Sequence, residues 1–123
     1  MLGNHYVADL YGCKNIHEKY EEYVYHLENV AKKHGATVLN RSCHNFGPNA
    51  YTLCILLAES HIAVHTWAEE KYVSVDIYTC GSVDTRAIMK DVIAEFQPVS
   101  VDSTIFSRGK KVEGAKKSKE SNK

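Results

Sequence analysis

Three short segments in close succession, between Ala50 and Cys80, constrain the fold more than any other feature of the chain. Ala50 to Glu59 is a nearly continuous apolar run, short enough for a buried strand rather than a helix. His61 to Trp67 alternates: Ile62, Val64 and Thr66 share one face, while His61, Ala63, His65 and Trp67 share the other. Lys71 to Cys80 alternates again, with Val73, Val75 and Ile77 opposite Tyr72, Ser74, Asp76, Tyr78 and Cys80. A period of two places alternate side chains on opposite faces of a sheet.

The flanking segments complete the pattern. Asn4 to Tyr11 reads as a first strand. From Asn15 to His34 the residues Ile16, Tyr20, Tyr23, Val24, Leu27, Val30 and Ala31 recur at three-to-four spacing, the stripe of an amphipathic helix, with Asn15 as N-cap and Gly35 as its stop. Ala36 to Asn45 predicts a strand and Phe46-Gly-Pro-Asn49 a turn. A second helix is predicted from Asp84 to Gln97, capped by Ser82 or Asp84, with a last strand from Pro98 to Ser107. The order β-α-β-β-β-β-α-β predicts an α+β two-layer sandwich, a mostly antiparallel sheet with helices on one face. The other face would carry Trp67, Tyr72 and Tyr78, too apolar to leave wet, and is expected to meet a second copy of the chain.

At 123 residues the chain has room for one core. Residues 1–107 are expected to form that single domain, and 108–123, rich in Gly, Ser and Lys, a disordered tail. Fifteen basic residues balance fifteen acidic ones, so no net field points to nucleic acid or a membrane surface. No apolar run approaches the roughly 20 residues that span a bilayer, and no basic-then-apolar signal segment opens the sequence. The cysteines at 13, 43, 54 and 80 form no CxxC pair, and Cys54 lies in an apolar run where a thiol acts as a small hydrophobe. A reduced, cytoplasmic protein is expected.

Chemistry concentrates in Glu59-Ser-His-Ile-Ala-Val-His-Thr-Trp-Ala-Glu-Glu70 and Val75-Asp-Ile-Tyr-Thr-Cys-Gly81. On residue types alone an ordinary amphipathic hairpin accounts for both, with His65 a half-buried imidazole and Cys80 an inert thiol. A zinc site from His61, His65 and Cys80 lacks the HExxH helix, so no metal is expected. A serine hydrolase would need glycines around Ser60, and Glu-Ser-His is not such an elbow.

The run "ESHIAVHTW…VDIYTCG", with "HYVADLYGC" before it and the "HNFGP" turn between, resembles the signature of the prokaryotic-type S-adenosylmethionine decarboxylase proenzymes in order and spacing. The resemblance covers nearly the whole of residues 4–107. It implies autocatalytic cleavage between Glu59 and Ser60 into a β chain (1–59) and an α chain (60–123). Ser60 would become a pyruvoyl cofactor that holds the substrate amine as a Schiff base. His65 would be the processing base, Cys80 the proton donor and Thr52 a processing hydroxyl. Phe46 would stack on adenine, Trp67 would line the pocket and Glu69 would bond the ribose hydroxyls. The implied activity is decarboxylation of S-adenosylmethionine to an aminopropyl donor for spermidine biosynthesis. Relatives that act on arginine or ornithine, and a non-processing regulatory homologue, stay open as alternatives.

A histidine suits removal of the Ser60 α-hydrogen because it titrates near working pH, and the acyl shift before it needs backbone strain or oxyanion stabilisation. In a straight strand Ser60 and His65 point to opposite faces. Either the chain bends near His61, or the base comes from a second protomer in an (αβ)2 homodimer, as the resemblance implies. Three positions depart from the family pattern. Ala68 replaces a common proline, which is expected to loosen the hairpin. Thr52 replaces a serine, and Gly12 replaces a commonly acidic residue.

Overall fold

The computed structural model describes residues 2–110. Six strands, β1 (Gly3–Tyr11), β2 (Val38–Asn45), β3 (Tyr51–Leu57), β4 (Ser60–Trp67), β5 (Tyr72–Cys80) and β6 (Ser100–Arg108), form one sheet in the order β2-β3-β4-β5-β1-β6. Every neighbouring pair is antiparallel. Two helices, α1 (Val24–Lys33) and α2 (Thr85–Phe96), pack on one face, so the chain is the expected α+β two-layer sandwich.

The alternation of β4 and β5 translates directly into layers. Ile62, Val64, Val73, Val75 and Ile77 face the helices and are buried with Leu10, Leu53, Ile55, Leu27, Ile88 and Phe96. Each such side chain contributes about 1.5–3 kcal/mol by leaving water. Thr66 joins them because its hydroxyl accepts the Tyr51 N–H at 3.0 Å.

Three expectations change. β3 is buried on one face only, because no helix covers the other; Cys54 and Leu56 lie exposed on it, so Cys54 is no core hydrophobe. The first helix is α1 alone, preceded by a single 3-10 turn at Tyr20–Glu22. The reason lies at the end of α2, whose last carbonyls need donors. Lys14 and Asn15 N–H donate to Gln97 and Phe96 O, and the Asn15 side chain donates to Glu95 O. Asn15 therefore closes α2 instead of capping a helix of its own. Asp84 does cap α2, accepting the Ala87 N–H at 3.1 Å. Lastly, β6 ends at Arg108, inside the stretch expected as tail; residues 111–123 of that stretch lie outside the described residues.

Candidate active site

The Glu59–Ser60 peptide bond lies where the chain reverses. Leu57 pairs with Ser60, so Ala58 and Glu59 form a two-residue turn between β3 and β4. Thr37, just before β2, holds this turn twice. Its carbonyl accepts the Ala58 N–H at 2.9 Å, and its N–H donates to Glu59 Oε1 at 3.0 Å. That backbone donor holds the Glu59 carboxyl below its ordinary range. Ser60 itself has φ of 151°. Non-glycine residues rarely occupy that region, and each such residue stores on the order of 1–3 kcal/mol. The continuous ladder from His61 onward sustains it.

Directly paired residues share a face, so the side of the sheet away from the helices can be read from the register. At the hairpin end it carries His61, Tyr78 and Cys80, with His5 beside Tyr78 and Gly3 beside Cys80. Cys80 is exposed at the end of β5. His5 Nε2 hydrogen-bonds Asp76 Oδ1, and His61 Nε2 lies 3.8 Å from the same oxygen. At the far end the face carries Thr52, His65 and Trp67. Thr52 Oγ1 and His65 Nδ1 are 2.9 Å apart, and the Trp67 ring stacks on Tyr72 at 5.2 Å. Tyr72 OH donates to Asp9 at 2.5 Å; burial and this bond push its hydroxyl up to about 12.

Beyond Trp67 a 3-10 turn, Ala68–Glu70, lies against the Phe46 turn. Phe46, Pro48, Asn49, Trp67, Glu69 and Glu70 line a cavity of about 400 Å³. The Ala68 N–H donates to Asn49 O at 3.1 Å. Proline has no N–H to give, so Ala68 adds a tie between the two turns rather than loosening them. Phe46 is exposed and packs edge-on against His44 at 4.6 Å.

The expected site residues thus fall into two groups. Ser60 and Cys80 share the hairpin end; Phe46, Thr52, His65, Trp67 and Glu69 share the other. No bend near His61 joins them, because β4 is unbroken from Ser60 to Trp67. Five residues of strand separate Ser60 from His65 by roughly 16 Å, well beyond an imidazole's reach. His61, His65 and Cys80 are likewise not gathered; among the described residues the three donors that converge, within 4.8 Å, are His5, His61 and Asp76. His5 and Thr37 were missed by sequence reasoning, since both act through strands distant in the chain. Asp76 carried a signal, its parity with His61, Tyr78 and Cys80.

The family model for S-adenosylmethionine decarboxylase matches residues 4–109. A protein named S-adenosylmethionine decarboxylase proenzyme from Hydrogenobaculum sp. is 39% identical over 110 residues, which is 88% of this chain and 82% of that one. The one so named from Persephonella marina is 38% identical, over 88% and 83%. Among solved structures, the adenosylmethionine decarboxylase from Aquifex aeolicus superposes with a TM-score of 0.80 at 35% identity, covering 99% of this chain and 98% of that one.

Proposed function

The chain belongs to the S-adenosylmethionine decarboxylase family, and from that premise we propose that it cuts itself between Glu59 and Ser60, converts Ser60 into a pyruvoyl group and decarboxylates S-adenosylmethionine. The observation that carries this reading is the setting of the bond to be cut. It lies in a two-residue turn, pinned by Thr37, with Ser60 in a strained backbone region. Strain of that kind offsets part of the cost of converting an amide to an ester.

Ser60 Oγ attacks the Glu59 carbonyl and the bond from that carbon to the Ser60 nitrogen breaks, giving an ester. Once a base removes the Ser60 α-hydrogen, the Glu59 carboxylate leaves by β-elimination. The dehydroalanine left behind takes up water and loses ammonia to become the pyruvoyl group. His65, with one ring nitrogen engaged by Thr52, is suited to removing that α-hydrogen. It reaches Ser60 from a second copy stacked on the open face of the sheet. Each site of the homodimer then combines Ser60 and Cys80 of one chain with Phe46, Thr52, His65, Trp67 and Glu69 of the other. Phe46 and Trp67 present faces for a purine, and Glu69 an acceptor for a diol. Once formed at Ser60, the pyruvoyl group would supply a ketone to hold the substrate amine and to accept the electron pair left by CO2. Cys80 then returns a proton to carbon, and the product donates an aminopropyl group in spermidine formation. A cytoplasmic location is part of this reading, supported by the four free thiols; no helix among the described residues is long and apolar enough to cross a membrane.

Intact mass tests the first half. Wild type should give two fragments and Ser60→Ala one full-length chain; a wild-type chain that stays whole after long incubation points to a non-processing homologue instead. Release of labelled CO2 from S-adenosylmethionine, arginine and ornithine in parallel tests the second. Consumption of arginine or ornithine alone would reject the adenine role of Phe46.

A further inference from the structure

Trp67 is the chain's one tryptophan and the last residue of β4, and close to half of its surface is exposed. An indole at a strand end moves among its side-chain rotamers unless neighbours hold it. On the open face those neighbours form a row of rings across three strands. Tyr72 of β5 is paired with Trp67, and Tyr11 of β1 is paired with Tyr72. The Trp67 and Tyr72 rings stack at 5.2 Å, 30° from parallel, and the Tyr72 and Tyr11 rings at 5.4 Å, 23° from parallel. The His65 ring flanks Trp67 at 6.3 Å on the same strand.

The middle ring of the row is tethered at its far end. Tyr72 OH donates to Asp9 Oδ1, and Asp9 stands two residues before Tyr11 on β1, so the bond runs diagonally across the strand pair. A hydrogen bond to a carboxylate is stronger than one between neutral groups. The raised pKa of the hydroxyl keeps its proton in place at neutral pH. A ring stacked between two others and held at its hydroxyl has one orientation, and it passes that orientation to the indole lying against it.

We propose that Tyr72, tethered by Asp9, is a positioning residue that fixes the Trp67 ring as one wall of the cavity between the Phe46 turn and the Ala68–Glu70 turn. This rests on the reading of that cavity as the purine site and adds the residue that orients its wall. A flat ligand gains most from stacking when the ring it meets is already oriented. Otherwise binding must also arrest that ring, which lowers affinity. Tyr72 lies at the opposite end of the face from Ser60 and Cys80, so its effect belongs to binding rather than to the bond changes.

The processed full-length enzyme tests this through its single tryptophan. Without ligand, time-resolved fluorescence anisotropy should show Trp67 moving more freely in Tyr72→Leu than in wild type. Tyr72→Phe should fall between them, because it keeps the stack and loses the tether. The binding probe is 5′-methylthioadenosine, which has the purine and ribose but no amine for the pyruvoyl group. Its Kd, read by Trp67 quenching, should rise about tenfold in Tyr72→Leu and about threefold in Tyr72→Phe. KM for S-adenosylmethionine should rise in parallel while kcat stays within about twofold. Both variants should self-cleave like wild type by intact mass.

Unchanged Trp67 anisotropy in Tyr72→Leu overturns the proposal even if affinity falls, because the ring would then be only a contact or a filler. So does a loss carried by kcat with KM unchanged, or a Tyr72→Leu chain that stays uncleaved. Tyr72→Phe indistinguishable from wild type overturns the part given to Asp9. If calorimetry shows 5′-methylthioadenosine binding to wild type while Trp67 emission stays unchanged, the purine-site reading itself fails and this inference falls with it.

Discussion

Cys80 and His65 share a face of the sheet but stand at opposite ends of it, and single substitutions should separate what they do. Cys80→Ala is expected to leave most of the cleavage intact and to depress turnover. Fragment yield by mass and CO2 release by radiometry check the two halves; equal loss of both would contradict the role given to the thiol. Gly12 stands where the resembled family is commonly acidic, and its backbone is one that glycine adopts freely. Its φ is +65°, and an added Cβ would lie 2.9 Å from the Val99 side chain. Gly12→Ala should therefore cost about 1–3 kcal/mol in urea unfolding, from strain and that contact together. Ser60, His65 and Cys80 were legible as a spaced motif on two alternating strands. That Thr37 holds Glu59 was not, because a hydrogen bond across 22 residues leaves no local pattern.

The elements that shape the site are held by polar ties as much as by the core. β2 is an edge strand whose inner side is partly polar, and Arg41 on it forms a bidentate pair with the buried Glu28 of α1, at 2.5 and 2.7 Å. α1 is tied to α2 where the His34 side chain meets Asp91 Oδ2 at 2.8 Å, with Lys33 at 3.7 Å. The His34 hydrogen bond holds the Asp91 carboxyl below its ordinary value. A carboxyl lowered by folding stabilises the fold above its unfolded pKa, near 4, and that contribution is lost as pH falls through the folded value. Asp91→Asn should therefore melt below wild type at pH 6, and the gap should close as the pH falls toward 3. Thermal melts across that range check it; a gap that persists at low pH would place the effect in packing. The strands were read from their alternation almost residue by residue. The first helix was overextended because residues 16 and 20 keep its spacing while their neighbours serve the end of α2.

At the scale of the molecule, the separation of Ser60 from His65 makes a prediction that no single chain can satisfy. Ser60→Ala chains lack the serine and His65→Gln chains lack the base, so neither should cleave alone. Mixed by co-refolding, they should form dimers in which one site is whole, and only the His65→Gln chain should be cut. Intact mass distinguishes the two chains, and an absence of cleavage in the mixture would sink the shared site. A Ser60→Ala control that cleaved would sink the reading of the scissile bond. The sequence by itself determined the layer each strand residue faces, since a period of two is a property of the backbone. It also carried the spaced motif in which Ser60 is the proposed cleavage residue. Only the tertiary structure decided that β1 lies between β5 and β6, because strand pairing is non-local. That placement brings His5 to Asp76 and Asp76 toward His61. It also shows that one unbroken strand holds the expected serine and base too far apart to meet.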